Sequence, residues 1–176
     1  MPTDEEKKEF LQKDLYNELR WLFLGAITWQ AAKVGNERCP NQSVLGLDTV
    51  LLHARALYDF YFNKTRDGAR SCHFASGWCA QSLLYSKYMA NGCPANKRAF
   101  HLVYYRSNHA GGQGHEGPDH LNQQVLEFAK DLKRLSREFV NAVDTQFRDS
   151  AQLALEEAAS EAQKIADEYK ITNPLP

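Results

Sequence analysis

Six histidines (His53, His73, His101, His109, His115 and His120) and ten arginines are the side chains of this 176-residue chain best suited to chemistry near neutral pH. His101 is the leading candidate for a general acid or base. It stands in Ala95-Asn-Lys-Arg-Ala-Phe-His-Leu-Val-Tyr-Tyr-Arg106, with Lys97 four residues earlier and therefore on its helical face. Arg55 and Arg106 are the cations that would neutralise a phosphate beside it. Arg55 has a competing role, because Asp59 lies four residues further on and the two can pair along one helix face. In that structural reading the polar groups satisfy one another and fix the register of packed helices.

A second concentration of imidazoles, His109, His115 and His120, spans the glycine-rich stretch His109-Ala-Gly-Gly-Gln-Gly-His-Glu-Gly. These are the chain's metal-ligand candidates. Zinc sites are usually built from tight Cys-x2-Cys or His-x3-His pairs held by a turn, and neither spacing occurs. The helical carboxylate-histidine spacing Glu-x-x-His is missed by one residue at Glu116 and His120. The glycines also lack the Gly-Lys-Ser/Thr ending of a phosphate-binding loop. The expectation is no metal and no cofactor, with this stretch a surface loop.

These residues must be positioned by helices. Thr3 and Glu6 form a capping box, and Leu11, Leu15, Leu19, Leu22, Ala26 and Trp29 give an apolar face running to about Lys33. Gly35-Asn36 stops that helix. A loop through Cys39-Pro40-Asn41 leads to Asp48 as the N-cap of a second helix carrying Val50, Leu51, Ala54, Leu57, Tyr58 and Tyr61, which ends near Asn63. Residues 64–77 read as a loop and Trp78 to Met89 as a short helix. Pro94 opens another helix around His101, ending before Gly111.

From Pro118 onward, Leu121, Val125, Phe128, Leu132, Leu135, Phe139 and Val143 step by three and four, the strongest helical pattern in the chain. A break near Thr145 to Ser150 precedes an alanine-rich helix from Ala151 to Tyr169. No alternating strand pair and no internal repeat is visible. The fold class is all-α: an antiparallel helical bundle of four to six helices without β-sheet, one domain over residues 1–176, with residues 145–176 as a C-terminal helical extension.

Composition narrows the function classes. Twenty-one Lys plus Arg balance 22 Asp plus Glu, so no global positive field recruits nucleic acid and any RNA contact needs a local patch. No apolar leader and no stretch near the roughly 18 apolar residues of a membrane span is present, which points to a cytoplasmic chain with no membrane partner. In that compartment Cys39, Cys72, Cys79 and Cys93 are expected as free thiols, and the sequons at Asn41 and Asn63 carry no meaning.

Two segments, Leu51-Leu-His-Ala-Arg-Ala-Leu-Tyr-Asp-Phe60 and the His101 segment above, resemble a group of bacterial helical proteins similar in layout to the HEPN superfamily of four-helix, often dimeric proteins. The resemblance covers Asp48 to Asp144. It implies a HEPN-like bundle, a homodimer and, for active members, metal-independent RNA cleavage by an Arg and a His with four to six residues between them. At that distance before His101 stand Asn96, Ala95 and Pro94, and before His109 stand Tyr104, Val103 and Leu102. One formal match exists, Arg66 and His73 with six residues between, but Gly68 inside it opposes a helix that would bring the pair together.

Three readings follow. In the first, a HEPN-like protein has an interaction or regulatory role through self-association, using the Val125 to Val143 stripe or the alanine-rich last helix as its interface. In the second, the chain is an endoribonuclease acting through His101, Arg55 and Arg106, or through Arg66 and His73. In the third, it is a metal-binding helical protein.

Overall fold

The Thr3–Glu6 capping box forms as its sequence demands. Thr3 Oγ1 accepts from the Glu6 amide, while Glu6 accepts from the Thr3 amide at 2.7 Å. From this cap the chain runs through α1 (Asp4–Phe10), a π-helical stretch (Leu11–Leu15) and α2 (Tyr16–Val34). The computed structural model describes residues 2–34, 40–65, 68–89 and 124–171, and among these the further helices are α3 (Pro40–Tyr61), α4 (Val125–Ala142) and α5 (Thr145–Glu168). No described residue lies in a strand, so the all-α expectation holds. No described helix is long and apolar enough to cross a membrane.

Leu11, Leu15, Leu19, Leu22 and Ala26 are all buried, as their spacing requires, and Phe23 and Ile27 widen that face. The width matters because α2 packs against both α3 and α5. α3 begins at Pro40, eight residues before the expected cap at Asp48. Proline pre-sets the first helical φ, and Gly46 serves close packing instead of ending a loop. A Cβ on Gly46 would lie 2.7 Å from the Trp29 amide nitrogen and 2.9 Å from the Gly25 carbonyl oxygen, so the two backbones meet there. Asn63, at φ 56°, takes the left-handed conformation just beyond α3 and turns the chain away.

Partner order along the helices gives their directions. Gly25 meets Thr49 and Glu18 meets His53, so α2 and α3 are antiparallel. Tyr58 reaches Asp131 and Tyr61 reaches Ser136, so α3 and α4 are parallel. Gln12 reaches Ser150 and Arg20 reaches Glu161, so the N-terminal helices run parallel to α5. A parallel α3 and α4 oblige the chain to return along their length. Residues 78–89 do so in the groove between them: Trp78 lies against Tyr61 and Phe139, Tyr85 against Tyr58, and Tyr88 against Phe128.

That return segment is only partly the helix expected from Trp78. Residues 78–82 are non-helical, and Ser82 caps a short helical stretch from residue 83 by accepting from the Tyr85 amide at 3.0 Å. The break between the last two helices falls at Val143–Asp144, so α5 starts six residues before Ala151. α5 is a wall of the core, not an appendage: Phe147, Ala151, Ala154, Ala158, Ala162 and Ala166 are buried, while Tyr169, the expected last residue of that helix, is exposed. Val125, Phe128, Leu132, Leu135, Phe139 and Val143 are likewise buried within the chain. Both stripes put forward as a dimer interface are therefore consumed by the protomer's own core. A cluster of aromatic rings, Phe10, Phe60, Phe74, Phe139 and Phe147, closes one end of it.

Candidate functional site

Arg55 and Asp59 pair as their spacing predicts, Nε to Oδ2 at 2.6 Å, with both side chains largely buried. Arg55 Nη1 also donates to the Met89 carbonyl at 3.5 Å, tying the end of the return segment to α3. Among the described residues Asp59 Oδ1 is buried with no hydrogen-bond partner, a cost that the ion pair offsets. His73 is exposed at the end of a 3₁₀ turn (Ser71–His73). His101, Arg106, Arg66, His109, His115 and His120 lie outside the described residues, as do Lys97, Cys39 and Cys93. Among the described residues no group of three or more His, Cys, Asp or Glu side chains could hold a metal, and Cys72 and Cys79 are free and exposed.

Two polar arrangements that the periodicity did not reveal are brought together by the fold. Asp131 is the hub of the first. Its Oδ2 accepts from the Tyr58 hydroxyl at 2.7 Å and from Ser82 Oγ, and its Oδ1 accepts from Arg134 at 2.6 Å. Arg134 further donates to the Gln81 carbonyl at 2.8 Å and to Glu138. Burial, followed by the Asp131 charge, pushes the Tyr58 phenol well above its ordinary range. A serine beside a carboxylate invites a hydrolase reading, but here the Ser82 hydroxyl points its proton at Asp131 and, among the described residues, no imidazole is a partner. The cluster locks the return segment to α3 and α4. Only the long-range pairing of residues 58, 82 and 131 defines it, and no local spacing signals that.

The second arrangement lies on the outer face of the α2–α3 hairpin. His53 Nδ1 is 2.8 Å from Glu18 Oε2, and the His53 ring stacks on Trp21 with centroids 6.4 Å apart. Arg20 also lies over the Trp21 ring, at 5.0 Å, and pairs with Glu161 on α5. Trp21 is 45% exposed, and Leu45 and Leu52, seven residues apart on one side of α3, are 63% and 50% exposed. Thr49 fills the stripe between these leucines and abuts Gly25. The hairpin thus presents an aromatic ring, two leucines and a threonine to solvent, bounded by Glu18–His53 and Arg20–Glu161 pairs. Sequence periodicity, which searches for the buried face, passes over these positions.

No protein family, curated protein or solved structure matches the chain.

Proposed function

We propose that this chain is a HEPN-like helical interaction protein that works by self-association, and that the outer face of the α2–α3 hairpin is the surface it uses. One observation carries the reading: Trp21 on α2 and Leu45 and Leu52 on α3 are large apolar side chains left exposed on this pair of helices while the stripes of α4 and α5 are buried. A tryptophan in contact with both His53 and Arg20 loses less side-chain entropy than a free one when a partner covers it. On the rim Arg20 pairs with Glu161 and His53 hydrogen-bonds Glu18, so each acid keeps a partner when a second copy covers the face. Gly46 and Gly25 fix the helix separation that sets the spacing of the apolar residues.

Sedimentation equilibrium tests this. The wild-type chain should show a reversible monomer–dimer equilibrium, and Leu52→Glu and Trp21→Glu should be monomers of unchanged helix content. A wild-type chain that stays monomeric up to the highest attainable concentration contradicts the proposal.

A further inference from the structure

α4 and α5 are joined by only two residues, yet their outer sides part to leave an open groove of about 390 Å³. One wall is the ridge Lys133, Arg137 and Asn141, at successive four-residue steps of α4 and thus on one face. The other wall carries Gln152 and Glu156 of α5, with the Gln152 side-chain amide donating to Glu156. Val140 and Leu155 form an apolar floor. The volume falls within the range of roughly 300–1,000 Å³ typical of small-molecule sites.

The charges are distributed unequally. Elsewhere on α4, Lys130 pairs with Glu127, and Arg134 with Asp131 and Glu138. Arg137, by contrast, makes no ion pair among the described residues and stands beside Lys133, a second cation on the same wall. Lys133 is partly buried, and burial together with the Arg137 charge holds its ammonium below the ordinary lysine range. Two cations suit one phosphate group; a polynucleotide track needs a longer run. On the opposite wall, Glu156 and Gln152 match hydroxyl groups.

We propose that this groove binds a small organic phosphate monoester, its phosphate between Lys133 and Arg137 and its hydroxyl-bearing body against Gln152, Glu156 and the Val140–Leu155 floor. A lysine and an arginine on adjacent helical turns can meet two phosphate oxygens at once.

Isothermal titration of the full chain with ribose 5-phosphate is the test, with inorganic phosphate and ribose as the two halves of the probe. Ribose 5-phosphate should bind more tightly than either half. Arg137→Gln and Lys133→Gln should each weaken it about tenfold or more, whereas Arg137→Lys should retain most of the affinity and Lys64→Gln all of it. Circular dichroism of each variant separates lost binding from lost folding. Equal binding of ribose 5-phosphate and inorganic phosphate would mean an adventitious ion only and overturn the proposal, as would no binding or binding indifferent to both glutamine variants.

Discussion

Tyr58 on α3 donates its phenolic hydrogen to Asp131 on the parallel helix α4, and Ser82 of the return segment donates to the same oxygen. One carboxylate therefore holds three parts of the chain that are distant in sequence. Tyr58→Phe, which leaves Asp131 with Ser82 and Arg134, should lower unfolding free energy by about 1–2 kcal/mol, and Asp131→Ala, which strands a buried phenol and a serine, by about 2–4 kcal/mol. Urea denaturation measures both. Because the donors share one acceptor, Tyr58→Phe and Ser82→Ala should be non-additive in a double-mutant cycle.

Gly46→Ala should destabilise, although alanine is normally the better helix former by about 1 kcal/mol. The new methyl group would meet the backbone of Trp29 and Gly25, which cannot give way as a flexible side chain can, so a loss of about 1–3 kcal/mol is expected. Gly25→Ala meets the Thr49 side chain at 3.0 Å and should cost less. Thermal unfolding of the two variants ranks them.

The helices and most of the core were legible in the sequence, because a helix buried on one side must repeat its apolar residues every three or four positions. Leu11 to Ala26 and Val125 to Val143 show this directly. Helix starts were harder to place. Asp48 has a good capping side chain, yet the chain is already helical from Pro40, and tertiary contact at Gly46 outweighs local preference. A helix was expected to open at Trp78, but its ring fills the α3–α4 groove from a non-helical backbone. Of the proposed sites, the Arg55–Asp59 pair was readable because it is local. The Asp131 hub and the Trp21–His53 stack were not, since they join residues far apart in the chain.

The buried phenols make stability sensitive to alkali. Burial raises both Tyr58 and Tyr61 above the ordinary phenol value, so the folded chain keeps these protons when the unfolded chain releases its own near pH 10. Their stabilising contribution is complete below about pH 10 and falls as pH rises toward the folded-state values. Tyr61→Phe should flatten that decline, since Ser136 keeps its bond to the Leu132 carbonyl at 2.6 Å. Denaturation midpoints between pH 8 and 11 show the sign.

Arg55 is committed to Asp59 and the Met89 carbonyl, so Arg55→Met should act on stability, costing about 2–3 kcal/mol by leaving a largely buried carboxylate unpaired. In the same account the purified chain leaves labelled single-stranded RNA intact in the presence of EDTA, and His101→Ala and His73→Ala behave as wild type. Cleavage abolished by either substitution would instead establish the ribonuclease reading and choose its histidine.

The central claim, self-association through the α2–α3 hairpin, is tested most directly by thiol cross-linking. Leu52→Cys is placed in a chain whose Cys39, Cys72, Cys79 and Cys93 are replaced by serine, and treated with a short bis-maleimide. Efficient formation of covalent dimer, absent for a Lys130→Cys control on α4 and lost when Trp21→Glu is added, is the expected result. Equal cross-linking at both positions, or none at either, would contradict it.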